Sequence, residues 1–503
     1  MLDRPHKLMT YQTYIDGQWV DAASGKAFET VDPYTGEAWA LIPECDKTDV
    51  DCAVEAAHRA FETGPWPQMT ATARGKAMRR IAGLIEKHAE HLGRIEVRDN
   101  GKLISEMAAQ TRYMPEWFYY YGGLADKIQG AVVSVDRPDH FTYVLREPVG
   151  VCAFILPWNS PLMLTGWKLA PALAAGCTVV IKPSEYTSAS LLEFMRLVIA
   201  EADIPPGVIN VVTGYGAVVG EPLVTHPKVA KVAFTGGTVT GARVNELAAR
   251  TFKKVSLELG GKSPNIVFDD CNLDDAVSGA ISGIFAATGQ TCIAGSRLLV
   301  QETIHDAFIE KLVAMARQAR LGDPSKPETQ VGPVTTPPQY QKILSYIDIA
   351  KGEGAKCMLG GGPATKEEGG GKYFVKPTIF TGVDNRMRIA QEEVFGPVLS
   401  VIKFKDEDDA VRIANDISYG LAAGVWTQSV KRAHTMARRI KAGTVWVNTY
   451  RAVSFLMPFG GYKASGLGRE NGMEAIDGYL QSKSVWINNG PGGGNPFVMK
   501  TAS

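Results

Sequence analysis

One cysteine, Cys292, stands in the run Gly289-Gln290-Thr291-Cys292-Ile293-Ala294-Gly295-Ser296-Arg297, a thiol among small, backbone-exposing neighbours. A thiolate is the strongest nucleophile readily made near neutral pH, because a free cysteine with a pKa of about 8.5 is already a few per cent ionised. Gly289 and Gly295 are expected to let a substrate and a cofactor approach the main chain, leaving the Cys292 amide to face an oxyanion. The chemistry implied is attack on a carbonyl carbon; an unreactive, buried small hydrophobe is the alternative for any single cysteine. Leu257-Glu258-Leu259-Gly260-Gly261-Lys262 closes an apolar strand with an acid. In a dry cleft Glu258 would hold its proton more tightly and serve as a base toward water, and in solvent it would be an ordinary strand-end carboxylate. In Pro157-Trp158-Asn159-Ser160-Pro161, Asn159 is either a neutral amide donor suited to an oxyanion or a turn former.

Two further runs have the character of anion and hydroxyl sites. Phe234-Thr235-Gly236-Gly237-Thr238 joins a strand to a helix, where free amides and the helix dipole favour a phosphate; a glycine turn without a ligand is the alternative. Lys182 and Glu185 in Val180-Ile181-Lys182-Pro183-Ser184-Glu185 sit where parallel strands end, placed for phosphate and ribose hydroxyls unless they are a solvated pair. Gly214-Tyr215-Gly216-Ala217-Val218-Val219-Gly220 departs by one residue from the dinucleotide fingerprint and carries little weight alone.

The elements that must position these groups follow from the apolar periodicity. Apolar runs of strand length at 151–156, 178–181, 208–212 and 229–234 alternate with helical patterns at 189–202 and 241–251, the mark of a parallel sheet with crossover helices. A second series has helices at 273–287, 304–320 and 339–351 and strands at 373–380 and 398–404, with a boundary near Gly260-Gly261. Ahead of both, Thr48-Asp49-Val50-Asp51 reads as a capping box opening a helix that Gly64-Pro65 stops, and another amphipathic stretch runs over 72–92. Residues 129–147 interrupt the alternation and predict a protruding hairpin, and the glycine-rich tail 488–503 predicts a flexible end.

Composition sets outer limits. A chain of 503 residues implies two to four lobes. Seven cysteines, odd in number and without C-x-x-C spacing, fit free thiols in a reducing compartment, and no metal site is expected. Lys plus Arg and Asp plus Glu are both 53, so no net field draws nucleic acid or an anionic membrane. The N-terminus lacks a signal-like apolar stretch, and the longest apolar run, 169–181, falls short of the ~18 residues of a membrane span, so a cytoplasmic protein is expected.

Taken in order, Asn159, Lys182 with Glu185, Gly236-Gly237, Glu258, Cys292, Glu392-Glu393-Val394-Phe395-Gly396-Pro397 and Pro458-Phe459-Gly460-Gly461-Tyr462-Lys463 resemble the aldehyde dehydrogenase superfamily over nearly the whole chain. The resemblance implies an α/β protein of two parallel-sheet lobes. A Rossmann-like cofactor domain would span 1–128 and 149–260, a catalytic domain 261–475, and a small β oligomerisation arm with the tail 129–148 and 476–503. It also implies a homo-oligomer, a dimer or tetramer. By motif match Cys292 is the nucleophile, Glu258 the base, and Asn159 the oxyanion donor beside the Cys292 amide. Lys182 and Glu185 hold the adenosine ribose, Gly236 and Gly237 lie near the pyrophosphate, Glu393 grips the nicotinamide ribose, and Trp158 and Phe395 flank the cofactor. Glu185 points to NAD, with NADP as a second option, because its charge repels a 2′-phosphate. The expected reaction is NAD(P)-dependent oxidation of an aldehyde to its acid through a thiohemiacetal and a thioester, with Glu258 favouring hydrolysis over transfer to another acceptor. Two positions depart from the family pattern: Gln481 stands where many members carry a Glu considered a secondary base, and Gly237 replaces a Ser.

The same match lines the substrate tunnel with Tyr113, Ser160, Met163, Trp167, Thr291, Ile293, Arg451, Val453 and Phe459. Trp167, Met163 and Phe459 suit an aliphatic or aromatic aldehyde. Arg451, if it faces the mouth rather than solvent, would suit a semialdehyde acid, while Val453 in place of an aromatic argues against a trimethylammonium substrate. A cofactor-independent thiol esterase would need a histidine paired with Cys292, and none lies near these motifs.

Overall fold

The computed structural model describes residues 8–492 and residue 497; most of the predicted flexible tail lies outside the described residues. Two sheets organise the chain. The first has the order Ile209–Val211, Thr178–Lys182, Val151–Ile155, Val229–Thr235, Lys254–Glu258, Gly466–Leu467, parallel except for the last strand. The register sets Ile155 beside Lys182, Phe234 beside Ile155, and Thr235 beside Glu258. Every strand that feeds the candidate site therefore ends at one edge, where carbonyls and amides released from the ladder can meet a ligand. The second sheet runs Lys356–Leu359, Thr378–Thr381, Val398–Phe404, Arg297–Gln301, Pro264–Val267, Ala422–Trp426, Thr444–Val447, with only Lys356–Leu359 antiparallel.

Helix boundaries follow local chemistry. Lys47–Glu62 is capped by Asp46, whose side chain accepts from the Thr48 amide while Asp49 returns a bond to the Asp46 amide. The box thus begins two residues before the predicted Thr48, because the carboxylate of Asp46 lies one turn ahead of Asp49. Thr70 caps Ala71–Asn100, which Gly101 ends with a left-handed φ of 75°. Pro161 opens the buried helix Pro161–Ala175 at a position where no amide is needed. The pattern over 189–202 becomes an α-helix at Ala189–Phe194 followed by a wider π-turn at Met195–Ile199. The strand predicted at 373–380 is confined to Thr378–Thr381; Pro377, which has no amide hydrogen to give a ladder, immediately precedes it.

The predicted hairpin is a three-stranded sheet, Leu480–Asn488, His140–Pro148 and Ala131–Val132, in which the final strand pairs antiparallel along the whole of His140–Pro148. No helix among the described residues is long and apolar enough to cross a membrane.

Candidate active site

Cys292 lies in a strained and tightly clamped turn. The helix Leu273–Phe285 gives way to Ala287, Thr288 and Gly289, all left-handed at φ 54°, 52° and 69°. Such a conformation costs a non-glycine residue on the order of 1–3 kcal/mol and persists only where its surroundings impose it. Here the surroundings are specific hydrogen bonds. The Ala287 amide donates to Glu106 Oε1 at 2.6 Å, Thr288 Oγ1 donates to the Gly332 carbonyl, and Gln290 bridges the Pro333 carbonyl and the Thr335 amide. Beyond the cysteine, the buried Arg297 guanidinium donates to the carbonyls of Lys262, Ile413 and Ala414 and to Asn385 Oδ1.

The glycines of this turn serve the protein's own packing. A Cβ on Gly289 would lie 2.0 Å from the Gly396 carbonyl oxygen, and one on Gly295 would lie 2.9 Å from the Tyr450 ring. The expectation that they admit substrate and cofactor is corrected: they admit neighbouring protein atoms.

Two cavities meet at Cys292. The first, of about 270 Å³, is lined by all nine residues predicted for the tunnel, Arg451 and Val453 included, together with Gln110, Trp117 and Leu164. Aromatic packing shapes it: Trp117 stacks on Trp167 with ring centres 5.9 Å apart, and Phe459 meets Trp167 edge-on. The second, of about 180 Å³, is lined by Trp158, Gly236, Gly237, Glu393 and Phe395. Asn159, Leu164, Thr235, Glu258 and Cys292 line both. A larger groove of about 530 Å³ around His305, Ile309 and Met358 holds none of these groups.

In the second cavity, Gly237 caps the helix Thr238–Ala249 without any side-chain cap, leaving first-turn amides free, and a Cβ there would meet open space. Glu393 is half-buried against Gly260, where a Cβ would lie 2.6 Å from its carboxylate, and accepts from the Gly261 amide at 2.9 Å. Burial raises the Glu393 pKa, partly opposed by that amide. Phe395, left-handed at φ 59°, packs edge-on against Trp158 and is held by Gln339 Nε2, which donates to the Phe395 carbonyl. Lys182 and Glu185 line neither cavity. Lys182 is buried at its strand end, with Nζ donating to the Pro183 carbonyl and standing 3.6 Å from Glu185.

The electrostatics of the shared wall oppose charge. Burial, with the carboxyls of Glu258 and Glu393, pushes the half-buried Cys292 thiol up to about 12. Burial and then Glu470 hold Glu258 well above the usual carboxylate range, while Lys168 and Arg469 pull it back. Among the described residues Glu258 Oε2 has no hydrogen-bond partner. Asn159 spends one amide hydrogen on the Gln290 carbonyl at 3.1 Å, so the other is the one available to a ligand.

Sequence reasoning missed the pair beside Glu258. Lys168 Nζ donates to Glu470 Oε1 and, at 2.7 Å, to Thr235 Oγ1, entirely out of solvent. A lysine four residues after Leu164 in an otherwise apolar helix was the available signal. Gln481, considered for the place of a second carboxylate, is exposed on the final strand and donates to the Pro148 carbonyl. The second carboxylate facing Glu258 is Glu470.

A thiol flanked by an amide donor and a raised carboxyl thus stands at the junction of two cavities on a parallel α/β frame. Residues 19–485 match the model of the aldehyde dehydrogenase family, and the chain belongs to that family. It is 46% identical over 496 residues to (Z)-2-((N-methylformamido)methylene)-5-hydroxybutyrolactone dehydrogenase of Acinetobacter baylyi, covering 98% of this chain and 100% of the relative. To aldehyde dehydrogenase family 2 member C4 of Arabidopsis thaliana it is 47% identical, over 94% of each chain. Among solved structures, betaine aldehyde dehydrogenase of Staphylococcus aureus in complex with NAD+ superposes with a TM-score of 0.95 at 41% identity, covering 98% of this chain and 97% of the other. An NAD+ complex of an aldehyde dehydrogenase from Bacillus cereus gives 0.92 at 44% identity, over 95% and 96%. The fold is thus the mixed α/β fold of these enzymes.

Proposed function

We propose that this protein oxidises an aldehyde to its carboxylic acid with NAD, using Cys292 as nucleophile, Asn159 as oxyanion donor and Glu258 as base. The observation that carries this is the meeting of two separate cavities at the Cys292 thiol. The substrate, whose carbon gives up hydride, and the acceptor that takes it must reach the thiol from different sides, and this wall provides that.

The residues present fit a nicotinamide dinucleotide. Uncapped amides at Gly237 and Thr238 suit a pyrophosphate, and the Glu393 carboxylate suits a ribose hydroxyl pair. Glu185 beside Lys182 favours NAD, since an added 2′-phosphate would face its charge. When bound, the cofactor supplies a hydride acceptor and a positive charge that favours the thiolate. The chain supplies the rest. Cys292 Sγ bonds to the aldehyde carbon, and the oxygen gains negative charge beside the free Asn159 hydrogen and the Cys292 amide. Once hydride has left, the carbon is a thioester on Cys292. Glu258 takes a proton from water, whose oxygen attacks the thioester, breaking the bond from carbon to sulfur and releasing the acid and the Cys292 thiolate. Glu470, whose charge raises the Glu258 pKa, also lines a separate space of about 500 Å³ with Arg469 and Glu474. No histidine lines either cavity, which disfavours a thiol esterase.

We assign residues 1–128 and 149–260 to cofactor binding, 261–475 to catalysis, and 129–148 with 476–503 to an arm; the strand Gly466–Leu467 crosses back to the first sheet. Exposed Val132, Phe141, Leu145, Trp486 and Ile487 on the arm support a homo-oligomer, a dimer or tetramer. A panel of aldehydes offered with NAD and with NADP, following cofactor reduction, tests the function, with Cys292→Ala as control. Turnover should appear with NAD and vanish in the variant while NAD binding persists; oxidation by Cys292→Ala would refute the nucleophile.

A further inference from the structure

Of the side chains lining the cavity of about 270 Å³, only Glu258 and Arg451 belong to acidic or basic residues. They lie apart in role. Glu258 also lines the second cavity, on the Cys292 wall, and is held toward its neutral form by burial and by Glu470. Arg451 lines the first cavity alone. Its Nη1 donates to the Ser282 carbonyl at 3.3 Å, and among the described residues no carboxylate lies within ion-pairing distance of its guanidinium. The Arg451 backbone is left-handed at φ 65°, a conformation that disfavours any side chain with a Cβ.

A second cation stands behind the wall. Lys102 is 3% exposed, and its Nζ donates to Ser160 Oγ at 3.0 Å, a hydroxyl that itself faces the cavity. No carboxylate lies within ion-pairing distance of this ammonium among the described residues either. Burial holds Lys102 down to about 8; Glu106 opposes that shift and Arg451 adds to it, as two like charges near one another must. Two buried hydrogen-bonding atoms of the lining also lack partners, Gln110 Oε1 and Trp167 Nε1. A cation without a paired anion draws one from its ligand; here the half-buried Arg451 lines the cavity without an ion pair, and the buried Lys102 behind the wall, felt by Glu106 and Glu96 at longer range, adds to the field.

We propose that the aldehyde this enzyme oxidises carries a carboxylate at its far end, bound by Arg451 with Lys102 adding to the field. The inference rests on the reading of Cys292 as nucleophile: the carbonyl carbon lies at Cys292 and the anion at Arg451. Between them the aromatic walls of Trp117 and Trp167 require an apolar spacer, a short alkyl chain or a ring. Selection is by charge-assisted hydrogen bonds to the guanidinium, which a neutral aldehyde of the same shape forfeits.

The test uses matched pairs at saturating NAD: 4-formylbenzoate against 4-methylbenzaldehyde, and succinic semialdehyde against butanal. The carboxylated member should have the higher kcat/KM by about 10-fold or more, as a lost hydrogen bond to a charged group implies. Arg451→Met should lower that value about 10- to 100-fold, chiefly through KM, while changing the neutral twin less than about 3-fold. Arg451→Lys should restore part of the loss. A wild-type enzyme that treats both twins alike, or prefers the neutral one, overturns the proposal, as does an equal loss on both twins in Arg451→Met. Should that variant fail to fold, the wild-type ratio decides alone. Oxidation of the neutral twins without preference sinks only this inference, whereas no oxidation of any twin sinks the underlying reaction as well.

Discussion

Replacing Glu470 by Gln keeps the shape of the side chain and removes one negative charge next to the candidate base. Lys168 and Glu470 form a buried pair, with side-chain exposures of 0% and 4%. Lys168 Nζ is 2.7 Å from Thr235 Oγ1, and Thr235 is the cross-strand partner of Glu258. Adjacent strands lie about 4.8 Å apart, so the pair acts on the Glu258 carboxyl across a single strand spacing. At an effective dielectric near 20, one charge about 8 Å away is worth about 2 kcal/mol. Glu470 raises the Glu258 pKa and Lys168 lowers it. Glu470→Gln therefore removes a raising charge and leaves the lowering one unshielded, so the Glu258 pKa falls. The ionised base is then populated at lower pH, and the acid limb of thioester hydrolysis moves to lower pH. The variant also strands a buried ammonium, at a stability cost of about 3–5 kcal/mol. The assay is kcat against pH for an ester that acylates Cys292 without cofactor, with thermal melting to confirm folding. An acid limb that stays in place, or moves up, in a folded variant would refute the electrostatic reasoning.

Glu258→Gln should release a first turnover of reduced cofactor and then stall, because acylation survives and hydrolysis loses its base; rapid-quench detection of an acyl-enzyme checks this, and an unchanged steady state excludes Glu258 as base. Gly289→Ala places a Cβ 2.0 Å from the Gly396 carbonyl at a φ of 69°, so stability should fall by about 3 kcal/mol or more, counting overpacking and the left-handed penalty. Urea unfolding measures it, and an unshifted midpoint would show that the turn is not clamped.

Much of the frame was legible because it depends on short-range pattern. The strands Val151–Ile155, Thr178–Lys182 and Val229–Thr235 fall within a residue or two of the predicted runs, since a buried parallel strand is an apolar run with a fixed length. The strand at 373–380 is shorter than its apolar run because Phe374 and Val375 are buried with only an isolated bridge to Pro363 before Pro377 interrupts the ladder. Gly289 and Gly295 were recognised as necessary but for the wrong neighbours, because a sequence shows that a side chain is missing and not what fills its place. Lys168 and Glu470 escaped notice since 302 residues separate them. Arg451 stood out by type, but its side of the loop did not, because a left-handed residue sends its side chain where no periodicity predicts.

The sequence by itself determined the order of strands and helices, the family, and the identity of the thiol, amide and carboxyl set at strand and turn ends. These are local properties of residue type and spacing. Only the tertiary structure decided that two cavities share the Cys292 wall, that the charges of Glu470 and Lys168 act on Glu258 in opposite directions, and that Lys102 stands behind the cavity that Arg451 lines. Burial and Coulomb interaction act across distance in space and are indifferent to distance along the chain, so the charge state of each group is set by neighbours that folding alone assembles.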